Sequence, residues 1–197
     1  MKQNLIYIGV LIAGATLGSQ ALAQANKFEG FSLGAGINTV SANFARSYNS
    51  GRSSPAISST HVNLAFQAEY GFAINDKYVI GLGGSMDQRR LVFGTWTASK
   101  IDIEMKDMYS VHIAPGYALS DSTLVYAKLG YLSGTVSDPA STTLPGTRYG
   151  IGVRVFGGSN VFYQSELSKS EYAHRAYVDA TDTFDANALT LSVGYKF

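Results

Sequence analysis

The chain has 197 residues, 46% hydrophobic and 15% charged, with 21 glycines, 13 tyrosines, 10 phenylalanines and no cysteine. A soluble domain carries about 25% charged residues, so the deficit has to be explained by where the chain resides. The 15 Lys and Arg against 14 Asp and Glu leave a net charge of +1, which excludes a basic nucleic-acid footprint, and the lack of cysteine excludes disulfide scaffolds and thiolate chemistry.

In chain order, Lys2, the apolar stretch Leu5 to Leu17 and the small-residue ending Ala21-Leu22-Ala23 have the form of an export signal. The apolar stretch is too short for the roughly 20 residues that span a bilayer as a helix. A cleaved signal peptide is expected over residues 1–23 and a mature domain over 24–197. Beyond residue 25 no apolar run is long enough for a membrane helix, so the chain either stays soluble after export or enters a membrane as strands.

The deciding signal is a period of two. Strands are expected near residues 28–44, 60–74, 78–90, 100–118, 124–136, 147–156, 161–170 and 187–197. In the second, Val62, Leu64, Phe66, Ala68, Tyr70 and Phe72 alternate with a series that includes Asn63, Gln67 and Glu69. In the fourth, Ile101, Ile103, Met105, Tyr109, Val111, Ile113 and Tyr117 oppose Asp102, Glu104, Lys106, Ser110 and His112. The last strand sets Leu189, Leu191, Val193, Tyr195 and Phe197 against Thr190, Ser192 and Lys196.

The connections alternate strictly. Long polar segments at 45–59, 91–99, 137–146 and 171–186 are separated by short ones at 75–77, 119–123 and 156–160. Seven connections of that kind make an all-β fold: an eight-stranded antiparallel up-and-down transmembrane β-barrel, with the long loops at one end and both termini at the other. The polar faces carry Glu69, His112, Lys128, Arg154 and Glu166 at mid-strand, while the other faces are nearly free of charge there and end in tyrosine or phenylalanine. That phase puts the charges in a lumen and the apolar series against lipid, the inverse of a soluble lipocalin-like barrel. Asp107 falls on the outward phase at the outer interface, and Lys100, Asp102 and Glu104 then project beyond the bilayer.

The ending Thr190-Leu191-Ser192-Val193-Gly194-Tyr195-Lys196-Phe197 resembles the C-terminal signature of bacterial outer-membrane β-barrels. The segments Val125 to Tyr131 and Tyr149 to Val153 are similar to strands of the small porin-like and opacity-type eight-stranded barrels. The resemblance implies location in the bacterial outer membrane, and a final strand whose Leu191, Val193, Tyr195 and Phe197 act as the insertion signal for the barrel-assembly machinery.

Eight strands enclose an interior that side chains fill. The lumenal polar set of Glu69, His112, Lys128, Arg154 and Glu166 therefore reads first as a paired plug, with a narrow porin-like channel for small solutes as the alternative. A lipid A-modifying enzyme would need a nucleophile, a base and an orienting group together. His61 has a loop composition around it, His112 is lumenal and His174 lies in an acidic loop, so no catalytic residue, metal or cofactor is expected. At the surface, Arg89 and Arg90 suit lipopolysaccharide phosphates, and Phe93 and Trp96 on an external hairpin suit an adhesive or self-associating contact, unless they pack on neighbouring hairpins. The expected partners are outer-membrane lipid and lipopolysaccharide, the assembly machinery, and host or self surfaces met by the long loops; no nucleic acid is among them.

Overall fold

The computed structural model describes residues 25–197 except 89, 97–100 and 139; the expected signal peptide lies outside the described residues. A short 3-10 turn, Ala25–Phe28, precedes ten strand segments. These are β1 (Gly30–Tyr48), β2 (Ile57–Ala73), β3 (Tyr78–Asp87), β4 (Leu91–Trp96), β5 (Ile101–Ala118), β6 (Thr123–Asp138), β7 (Ala140–Phe156), β8 (Val161–Tyr172), β9 (Arg175–Ala176) and β10 (Ala180–Lys196). Neighbours pair antiparallel, and β1 closes on β10 from Ser32 opposite Lys196 up to Tyr48 opposite Ala180. β3 and β4 pair in succession with β5, so they occupy one barrel position, and β9 is a spur on β10. The result is a closed barrel of eight positions. Closure pairs the backbone groups that lipid could not satisfy.

Local chemistry sets the tight turns at the end that carries the termini. The Asn75 carboxamide oxygen accepts from the Lys77 and Tyr78 amides, and Ser120 Oγ accepts from the Ser122 and Thr123 amides. The opposite end corrects the expected loops. β1 runs on to Tyr48, β2 already begins at Ile57, β6 and β7 continue as one hairpin almost to residue 139, and β10 starts at Ala180. Above the lipid the outward face meets water while the inward face turns apolar, with Phe44, Met105 and Phe184 buried inside, so the alternation changes sense while the hydrogen-bonded ladder continues.

A second correction concerns the faces of β5. Tyr109, Val111 and Ile113 point outward, but Ile103 and Met105, expected on that same face, are 3% and 0% exposed. The register between β5 and β6 shifts between Lys106 and Tyr109, and Asp107 there adopts φ 51°. A bulge adds one residue to the strand and so exchanges its two faces above that point. Aspartate is among the few residues that take this left-handed conformation readily.

Interior volume is managed by glycine. Long inward side chains sit opposite glycines of the adjacent strand: Glu69 opposite Gly83, Tyr126 opposite Gly152, Phe162 opposite Gly194. A methyl group at Gly152 would overlap the Tyr126 phenol, and one at Gly194 the Phe162 ring. The lumen is thereby layered. At the end with the termini, Ala25, Phe28, Val79, Ala118, Leu124, Phe156 and Phe162 form an apolar seal, with the Phe28 and Phe156 rings 5.4 Å apart. At the other end a larger apolar cluster includes Phe44, Leu91, Phe93, Met105, Met108, Leu132 and Phe184.

Candidate functional site: the lumen belt and the outer rim

Between the two apolar seals lies a belt of buried charge. Glu69, His112, Lys128, Arg154 and Glu166 are each between 5% and 8% exposed, on β2, β5, β6, β7 and β8. The inward phase of each strand brings them to one level. Arg154 Nη2 donates to Glu69 Oε1 at 2.9 Å, and His112 Nε2 lies 3.3 Å from Glu69 Oε2. Lys128 Nζ pairs with Glu166 Oε2, which also accepts from the Tyr126 hydroxyl at 2.9 Å.

Gln164 and Gln67 extend the belt: Arg154 Nε donates to Gln164 Oε1 at 2.9 Å, and Gln164 Nε2 donates to Gln67 Oε1 at 3.2 Å. Arg154 also stacks 4.5 Å over the Phe162 ring, joining the belt to the seal beneath. Two cations against two carboxylates leave the belt neutral apart from His112, which is the condition for burying charge in a narrow space.

Sequence reasoning named the charged members and missed Gln67, Tyr126 and Gln164. They share the inward parity of their strands, and that parity was the available signal. It also missed a second layer, in which Asn38 Nδ2 donates to Asp87 Oδ1 at 2.7 Å, Arg148 approaches Asp87 at 3.6 Å, and Arg148 Nε donates to Ser170 Oγ at 2.9 Å. Near the top, Arg46 makes two bonds to Asp182, at 2.5 and 2.7 Å, tying β1 to β10.

The rim alters the surface expectation. Phe93 is 0% exposed; its ring packs edge-on to Phe184 at 5.2 Å inside the barrel, so it is not a surface contact. Its inward direction follows from the alternation of β4, which also buries Leu91; the register shifts between Val92 and Gly94, and Gly94 takes φ 149° and leaves room for Ile57 of β2. Arg90 does face solvent, with its side chain 62% exposed, and pairs with Glu104 at 2.8 Å. Arg89 and the Trp96 side chain, like Lys100, lie outside the described residues. Leu191, Val193, Tyr195 and Phe197 form an outward apolar row, 45% to 67% exposed, and Tyr195 packs on Phe197 at 5.1 Å.

His61 Nε2 lies 3.0 Å from Ser59 Oγ and 2.7 Å from the Val92 carbonyl oxygen. Among the described residues, no group of three or more His, Asp or Glu is placed to hold a metal ion, and no helix is long and apolar enough to cross a membrane.

The profile of the family described as outer membrane protein beta-barrel domain matches residues 10–197. No curated protein matches the sequence. Among solved structures, the outer membrane protein OprG of Pseudomonas aeruginosa is similar over 90% of this chain and 99% of its own, at 13% identity and a TM-score of 0.54. Neisserial surface protein A is similar over 86% and 98%, at 16% identity and a TM-score of 0.48. Ail of Yersinia pestis, solved in complex with the heparin analogue sucrose octasulfate, is similar over 84% and 99%, at 17% identity and a TM-score of 0.44.

Proposed function

We infer the role of this chain from one premise: it belongs to the outer-membrane β-barrel domain family and resides in the bacterial outer membrane, in contact with its lipid. The proposed function is that of a structural and surface-binding barrel with a closed lumen, presenting its extended outer strands to the exterior. The observation that carries it is the neutral, interlocked belt around Glu69 and Arg154 with an apolar seal on either side. Ion passage would have to break buried charge pairs and open both seals. The test is planar-bilayer recording from purified, folded protein. Silence is expected, and a reproducible open level would overturn the closed-lumen reading.

One observation favours a narrow channel as the second reading. On one side of the lumen Asn38 Oδ1, Gln67 Nε2 and Ser192 Oγ are buried without partners, beside the small residues Gly34 and Gly36. Such a strip suits water. An enzymatic role finds no support at the Ser59–His61 contact. At 2.7 Å from a carbonyl oxygen, His61 Nε2 carries its proton toward Val92 and cannot accept one from Ser59. The pair reads as a latch between β2 and β4. We also propose that residues 1–23 are the cleaved signal peptide, and that the outward row ending in Phe197 is the assembly signal.

A further inference from the structure

The apolar seal at the end with the termini is not built from the wall alone. Its members Ala25 and Phe28 belong to the turn that precedes β1, and the pairing of β1 with β2 begins only at Gly30. The turn is tied to the barrel by the Ala25 amide, which donates to the Asp76 carbonyl oxygen at 2.9 Å, and by Lys196 Nζ, which donates to the Glu29 carbonyl oxygen at 3.0 Å. Gly30 takes φ 112°, a conformation open to glycine and rarely to other residues, and there the chain passes from the mouth of the barrel into its wall. At Gly71 of β2 a methyl group would overlap the Phe28 carbonyl oxygen, so the wall carries a notch for the turn.

Phe28 supplies bulk where the wall has little. The inward positions of β1 and β2 at this end hold Gly30, Ser32, Gly71 and Ala73, while the other side of the mouth brings Leu124, Phe156 and Phe162. Above Phe28 the inward series of β1 continues as Ser32, Gly34, Gly36 and Asn38. Beside it Gln67 Nε2, Ser192 Oγ and Asn38 Oδ1 are buried without partners, a polar strip that water would satisfy. Beyond Asn38 the series turns apolar at Val40, Ala42 and Phe44, which belong to the outer cluster. The strip therefore begins at Phe28 and ends blind.

We propose that the turn Ala25–Phe28 is a hinged stopper, and that its unseating about Gly30 admits water and small hydrophilic solutes, from the end with the termini, to the strip between Ser32 and Asn38. A four-residue turn outside the strand ladders opens at less cost than the paired strands around it. A vestibule with a blind upper end passes no current, so its opening and the silence expected in bilayer recording are separate properties.

The chain has no cysteine, so single introduced thiols report access to the lumen. In the whole folded protein in detergent micelles, Phe28→Ala should quicken modification by aminoethyl methanethiosulfonate about tenfold at Ser32→Cys and at Ser192→Cys, as expected when a local opening becomes easier. The rate at Val40→Cys, beyond the blind end, should not change. Heat-modifiable gel migration checks that each variant is folded. An unchanged rate at either lower site would overturn the proposal, and so would equal acceleration at Val40→Cys, which would mean that the whole interior has loosened. Should Phe28→Ala fail to fold, hydrogen exchange of the wild-type protein decides. The Ala25 and Glu29 amides should exchange about tenfold faster than those of residues 32–38, and equal protection would make the turn a fixed part of the barrel.

Discussion

Arg154 on β7 and Glu69 on β2 stand four strands apart in either direction around the barrel, yet Nη2 and Oε1 meet at 2.9 Å. The contact spans the lumen and braces opposite walls. Arg154→Leu leaves Glu69 with His112 as its remaining partner in direct contact, and is expected to cost about 3–5 kcal/mol, the usual penalty for removing one member of a buried pair. Urea unfolding from lipid vesicles, read by heat-modifiable gel migration, measures it. The double variant Glu69→Gln with Arg154→Leu should recover part of the loss; strict additivity would show the two residues uncoupled.

The glycine opposite Tyr126 is a packing requirement. Gly152→Ala should destabilise by about 1–3 kcal/mol, because the added methyl displaces the phenol that donates to Glu166. Adding Tyr126→Ala to Gly152→Ala should remove the part of that cost due to the phenol, leaving the 2.8 Å approach of the methyl to the Ser165 carbonyl oxygen. If Gly152→Ala alone folds with wild-type stability, the interior is looser than described.

Tyr172 lies above the lipid belt in the outer apolar cluster, and burial pushes its phenol up to about 12. The folded state holds the proton more tightly than the unfolded chain, whose tyrosines titrate near 10. The associated stability is thus fully present below about pH 10 and lost as pH rises toward 12. Comparing wild type with Tyr172→Phe by alkaline ultraviolet titration should remove a step near 12. Removal of a step near 10 instead would place the phenol in solvent.

The Arg46–Asp182 fork holds the outer ends of β1 and β10 together, and Asp182 is 2% exposed. Asp182→Ala should open these ends locally, leaving the membrane portion intact. Hydrogen exchange at residues 44–48 and 180–184 should then accelerate about tenfold for each 1.4 kcal/mol lost, while the amides of 32–38 stay unchanged. Uniform acceleration along β1 would mean that the fork stabilises the whole barrel.

Much of the architecture was legible in the residues, and the failures have physical causes. The alternation around Val62 to Phe72 marks a strand with unlike faces because each face meets one medium. Met105 and Tyr109 lie four apart and are both apolar, so period two cannot register that a residue has been inserted between them. Phe93 differs for another reason: an aromatic residue in an expected loop carries no sign of direction, and only the strand Leu91–Trp96, with Leu91 also inward, gives it one. The tie between Arg46 and Asp182, 136 positions apart, leaves no local trace.

What the sequence by itself determined is the medium. A low charge content, an apolar phase against lipid and alternating connections specify a barrel and which face of each strand looks inward, because lipid penalises charge at every outward position it covers. What only the tertiary structure decided is pairing and direction beyond the lipid: that Glu69 meets Arg154 rather than Lys128, that the outer strands continue as a ladder, and that Phe93 turns inside. Those outcomes depend on register, bulges and closure, which fix distances between residues far apart in the chain.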